Sequence, residues 1–246
     1  MFMIIGRKRR RTATSFKPAA LIQFRFGVHN ACDNPCFLFD SNGVTDPARG
    51  RAARSACAGS AGAGFAKQMK LLIIADIDDL HWKHGEGRAD ILLSCGDVAD
   101  PVILGAARAY QCARIFAVKG NHDSDRPFPK PIVDLHLRVQ AFDCITFGGL
   151  NGSWRYKPRG HFLYEQEEVS GLLRAFPPVD VLVSHNSPQG IHDKDDGIHF
   201  GFEGLTAYIR RATPTAVIHG HQHINKETAL GVTRIIGVRG HRQMEF

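Results

Sequence analysis

From Met69 onward the chain is a succession of short apolar runs, at 70–75, 91–94, 114–118, 145–148, 179–184, 216–218 and 232–238. Runs of this length are too short for ordinary helices and read as buried strands. Segments with helical spacing lie between some of them. Residues 101–111 open on Pro101, which suits a first helical turn. Residues 165–176 form a second such segment, ended by Pro177-Pro178, and 202–212 a third. Strands alternating with helices predict an α/β fold. No internal repeat is evident.

Five of the runs end in a compact polar cluster. Asp76-Ile77-Asp78 follows the first, Gly96-Asp97 the second and Gly120-Asn121-His122-Asp123 the third. Ser184-His185-Asn186 and Gly220-His221-Gln222-His223 close two later ones. Ends of strands at one edge of a sheet are where α/β proteins build sites. Glycine beside a ligand lets the backbone turn tightly and approach an ion or a phosphate. No cluster is decisive alone, but together they hold enough Asp, Asn and His to ligate two metal ions.

The ordered series resembles the motif series of the calcineurin-like metallophosphoesterase superfamily: DxH, GD, GNH followed by Asp or Glu, a lone His, and GHxH. The resemblance covers Met69 to about Gly240. It implies a four-layer sandwich of two mixed β-sheets flanked by helices, with a two-metal site at one edge. By the same resemblance Asp97 bridges the metals, Asp76 and His223 ligate the first, and Asn121, His185 and His221 ligate the second. His122 matches the catalytic histidine, and Asp100 a position that orients it in some members, a role open to Asp123 as well. The implied chemistry is hydrolysis of a phosphate ester by hydroxide held between two ions about 3.5–4 Å apart. His122 acts as general acid on the leaving oxygen.

The first motif departs from the pattern, reading Asp76-Ile77-Asp78 where a histidine would be the third residue. Asp79-Leu80-His81 does read DxH, but three further residues of extended chain add about 10 Å. A ligand belongs at the strand end, and in extended chain residues 76 and 78 share a side. Asp78 is therefore the expected ligand. Three carboxylates and a hydroxide offset two divalent cations, leaving a near-neutral site that favours a singly charged diester over a monoester. Oxygen ligands also favour Mn²⁺, Fe²⁺ or Mg²⁺ over Zn²⁺. Arg155, in the Gly-rich loop 149–160, is a candidate bidentate phosphate donor or a solvated loop cation. Asn186 is a second substrate-contact candidate. Loop 191–200 carries His192, Asp193, Asp195, Asp196 and His199, and either overhangs the site or lies on the plain surface. His219 reads as a packed residue supporting the ligands.

Residues 1–68 differ in kind. They hold 11 of the 31 Lys and Arg but 3 of the 24 Asp and Glu, so the whole net charge of +7 arises there. They include Arg7-Lys8-Arg9-Arg10-Arg11 and an Ala/Gly/Ser-rich stretch, with too little apolar surface to offset ordering entropy. A disordered extension, a basic targeting segment and sequence upstream of a true start at Met69 remain open for 1–68, with 69–246 as the metallophosphoesterase domain. Cys32 and Cys36 make a single CxxxC pair, a weak zinc signal, and the six cysteines read as thiols of a reducing compartment. The resemblance implies a small phosphate ester as partner, and the near-neutral remainder predicts neither nucleic acid nor membrane. No run of about 18 apolar residues exists to cross a bilayer. Without a clear signal peptide the expected location is the cytoplasm. The sequence does not announce an oligomeric state. A binding or scaffold protein that keeps the fold without the chemistry is the rival reading; intact Asn121 and His122 argue for activity.

Overall fold

The computed structural model describes residues 68–246. The expectations for residues 1–67, including Cys32, Cys36 and Cys57, lie outside the described residues.

Two sheets make the frame. The first contains β1 (Lys70–Ala75), β2 (Ile91–Ser94), β3 (Arg114–Ala117), β4 (Val133–Asp134) and β13 (Gly240–Glu245). Its order is β13-β1-β2-β3-β4, parallel throughout except for β13, which runs antiparallel to β1. The second contains β5 (Val139–Phe142), β6 (Ile145–Leu150), β9 (Val181–Ser184), β10 (Ala216–His219), β11 (Lys226–Leu230) and β12 (Thr233–Gly237). Its order is β11-β12-β10-β9-β6-β5, with parallel inner strands and antiparallel edges. A small ribbon pairs β7 (Ser153–Trp154) with β8 (Leu163–Tyr164). All seven expected strands are present.

Side-chain alternation explains the layering. In β1, Leu71, Ile73 and Ala75 face the second sheet and meet Val181, Val183, Ala216, Ile218 and Ile236 in a core between the sheets. Leu72 and Ile74 point the other way, to Val102, Ile103 and Ala106 of α1 (Asp100–Ala109). On the far side, Leu182, Val217 and Ile235 pack against α2 (Gln166–Arg174) and α3 (Glu203–Ala212), through Val169, Leu173, Leu205 and Ile209. Strands covered on both faces are apolar along their whole length, which is why they were visible as unbroken runs. The result is the four-layer α/β sandwich expected from the sequence. Pro101 begins α1 as expected, and reciprocal bonds between Glu165 and Glu168 cap α2. Among the described residues no helix is long and apolar enough to cross a membrane.

Candidate metal centre

Every polar cluster leaves the carboxyl end of a parallel strand, and the two sheets bring those ends together. Asp76 leaves β1, Asp97 leaves β2, Asn121 follows β3, His185 leaves β9 and His221 follows β10. Backbone bonds tie the loops in pairs: Asp76 N–H donates to Gly96 O, and Gly220 N–H to His185 O. Two glycines are required by closeness. A Cβ on Gly120 would lie 2.0 Å from Asp97 Oδ1, and one on Gly96 would lie 2.5 Å from Gly120 N. Asp76, Asp97, His221 and His223 all have left-handed backbone, with φ of 52°, 53°, 62° and 52°. Such residues cost about 1–3 kcal/mol each and persist where surrounding structure holds them. Four in one constellation mark it as a built site.

Asp76, Asp97 and His185 each bring a ligand atom within 4.8 Å of the others. His185 is fully buried, and its Nδ1 lies 2.8 Å from the Cys95 carbonyl. A carbonyl only accepts, so Nδ1 carries the proton. Nε2 then faces Asp97 Oδ2 at 3.2 Å and Asn121 Oδ1 at 3.0 Å. The Asn121 amide is oriented by donating from Nδ2 to the Tyr156 hydroxyl at 3.2 Å, which leaves Oδ1 toward the centre. A nitrogen and two oxygens aimed at one point, each fixed from behind, is the donor set a divalent cation needs. These residues fit a metal.

The electrostatics agree. Burial foremost, and also the Asp97 charge, push the Asp76 carboxyl up to about 6, against the pull of His185 and Arg239. For Asp97 burial is the largest influence and works upward, but the charge and hydrogen bond of His185 together with the His122 backbone bond and charge outweigh it and hold the group down to about 2. His185 is opposed by burial and raised by Asp97 to about 9. Without a cation, the pair neutralises itself. Burial and the nearby His185 lower His221 to about 2, so it is a neutral imidazole ready to ligate. His221 N–H donates to Asp76 Oδ2 at 2.9 Å, and His223 Nε2 lies 3.7 Å from Asp76 Oδ1.

Asp78 corrects part of the sequence argument. The chain is not extended at Asp76, so residues 76 and 78 are not held to one side. Asp78 is exposed, outside the Asp76–Asp97–His185 group, on the wall of a cavity of about 630 Å³. The Asp79-Leu80-His81 alternative lies in the following loop, as expected. Asp79 is paired with Lys83 and with His84, both at 2.7 Å, and His81 is exposed.

His122 stands at the mouth of the same cavity, its backbone N–H donating to Asp97 Oδ1 at 2.8 Å. Neither proposed orienting carboxylate holds its ring. Asp100 faces buried Lys119, Nζ to Oδ1 3.9 Å. Asp123 Oδ2 accepts from the backbone of Gly120 at 2.7 Å and Asp97 at 3.0 Å, joining two metal loops.

Two substrate-contact expectations also meet different surroundings. The Arg155 guanidinium is taken by Glu165 at 2.9 Å, Glu168 at 3.7 Å and the Leu163 carbonyl at 2.6 Å. The residue of its loop that reaches the centre is Tyr156. Asn186 is wholly buried, donating to Phe200 O and accepting from Ser187 N and Gln222 Nε2. It braces loops and does not line the cavity beside Asp78. The sequence reading missed Arg239, which lines that cavity and an adjoining one of about 410 Å³, beside Asp76 and Asp78 in each. Its backbone N–H and C=O are both held by the Asn225 side chain, at 3.0 and 3.2 Å. A lone Arg after a strand carries no sequence signal of this. His219 is the packed support expected, fully buried, with Nδ1 on Gly220 O and Nε2 on His192. Cys95 packs in the core between the sheets as a small apolar residue.

Residues 63–225 match the family described as calcineurin-like phosphoesterase. The chain belongs to that family. Solved structures share the fold at low identity. One superposes with a TM-score of 0.51 at 14% identity, over 73% of this chain and 95% of its own. A phosphopantetheinyl hydrolase from Mycobacterium tuberculosis gives 0.48 at 16% identity, over 70% and 90%. A Vps29 from Entamoeba histolytica gives 0.38 at 15% identity, over 70% and 74%. No curated protein matches the chain.

Proposed function

We propose that this protein is a metal-dependent phosphoesterase acting on a small phosphodiester, with two divalent ions at the centre. The observation that carries the reading is the convergence of Asp97 and Asn121 oxygens on His185 Nε2, with Asp76 alongside. Bound ions would polarise the phosphoryl group and acidify water. Asp97 presents two oxygens from a fixed carboxylate, which suits it to bridge. Asn121, His185 and His221 would hold one ion, and Asp76 and His223 the other, with Asp78 reaching in from the cavity wall. Oxygen donors on that side favour Mn²⁺, Fe²⁺ or Mg²⁺.

His122 would deliver a proton to the leaving oxygen from the cavity wall. Arg239 takes the role first given to Arg155, contacting a non-reacting phosphate oxygen. The cavity wall carries Asp76, Asp78, Asp79, Asp97, Asp100 and Asp123 against Lys119 and Arg239. An acidic wall of this kind attracts divalent cations and disfavours a doubly charged monoester.

The test compares bis-p-nitrophenyl phosphate with p-nitrophenyl phosphate in Mn²⁺, beside His122→Ala. Diester hydrolysis that disappears in the variant supports the reading. A faster monoester reaction counts against the diester assignment. Metal uptake without turnover of either substrate favours the scaffold reading, on which Asp78 has silenced the site.

A further inference from the structure

Loop 191–200 is not plain surface. Gln222 Nε2 donates to His199 O at 3.0 Å, Asn186 Nδ2 to Phe200 O at 2.8 Å, and Lys194 Nζ to Gln222 O at 3.2 Å. His221 Nε2 meets Ile198 O at 3.3 Å. The loop is thus clamped to the segment that carries His221 and His223. Its own carboxylate, Asp196, accepts from the backbone of Ile198 and His199 through Oδ1, and its Oδ2 lies 2.6 Å from His199 Nδ1.

This places a fourth imidazole in a row. Ring centres run His185 to His221 at 5.0 Å, His221 to His199 at 5.1 Å and His199 to His223 at 5.7 Å. Imidazoles that share an ion, with metal–nitrogen bonds of about 2.1 Å, hold their ring centres roughly 4.5–5.5 Å apart. His199 Nδ1 is spent on Asp196, and Nε2 has no hydrogen-bond partner among the described residues. A carboxylate behind one imidazole nitrogen with the other left open is the arrangement that fixes ligating histidines.

We propose that His199, oriented by Asp196, is a further ligand of the metal centre beside His221. The inference rests on the metal-centre reading above. It also explains why the loop is tied down so densely: a ligand delivered from a loop must be held by that loop.

The test is Mn²⁺ binding to the full chain by calorimetry, with Co²⁺ absorption as a second readout. His199→Ala is expected to weaken one of two sites about 100-fold and Asp196→Asn about 10-fold, within the range for groups around metal ligands. The other site keeps its affinity. The visible Co²⁺ bands of His199→Ala should shift, and His199→Gln guards against a merely unfolded variant. Two unaltered sites and unaltered bands in a folded variant overturn this inference while leaving the metal centre intact. A wild-type chain that takes up no divalent ion overturns both.

Discussion

The two halves of the centre are built differently. Asp97, Asn121, His185 and His221 form the inner half, where the Asn121, His185 and His221 side chains are buried and each is bonded from behind. Asp78, His223 and Arg239 form the outer half around buried Asp76; Asp78 is exposed and the His223 side chain is 49% accessible. A buried, pre-oriented donor set loses little entropy on binding and resists substitution. An open set adapts to substrate and tolerates change. The comparison separates groups proposed to hold the cation from groups proposed to choose what it meets.

The sharpest way to break the comparison is His185→Ala. It removes a ligand and exposes Asp97 to Asp76, so metal uptake by calorimetry and turnover are both expected to be lost. His122→Ala is expected to retain metal while kcat falls about 10²–10⁴-fold, the usual contribution of a general acid. Loss of metal with it would move His122 into the inner half.

Chelated protein gives a pH test. Asp76 is raised from 3.8 to about 6, so the folded state binds its proton more tightly and stability falls as pH rises through that window. His185 is raised from 6.5 to about 9, so its contribution is full below 6.5 and lost as pH climbs through 9. Burial works the other way on His219 and His221, lowered to about 3 and about 2, which charge only on unfolding below pH 6.5 and outweigh Asp76 there. Thermal unfolding in chelator is thus expected to show stability rising to about pH 6.5 and declining from there to about pH 9, and added Mn²⁺ to abolish the decline. At pH 7 Asp76→Asn is expected to stabilise the chelated protein by up to about 3 kcal/mol while weakening metal uptake. A flat or rising profile between about pH 6.5 and 9 would contradict the charged His185–Asp97 pair.

Effects in the outer half are smaller. Arg239→Ala is expected to raise KM for the diester about 10-fold, one exposed charged contact, with kcat little changed. Asp78→His is expected to shift the monoester-to-diester ratio a few-fold toward the monoester, measured with the same pair of nitrophenyl esters. A larger effect from either would put that residue among the groups that hold the cation.

The inner half was legible in the sequence because its residues sit directly after apolar strands. The frame was legible for the same reason: strands covered on both faces show as unbroken apolar runs. Strand β13 was not, since it opens on Gly240 and alternates exposed with half-buried residues at a sheet edge. The outer half was misread where the argument assumed extended chain, because Asp76 turns left-handed at the strand end. Tyr156 and Arg239 come from loops whose positions depend on contacts far along the chain, and no local pattern announces them.

One such contact is the bond from His221 N–H to Asp76, residues 145 apart. Contacts of that span are closed late, after their loop entropy is met. The polar centre therefore cannot exist until both sheets have formed and docked. In refolding, cation capture is expected to trail the burial of the apolar core, so uptake of an ion marks the moment at which the chain has finished its assembly.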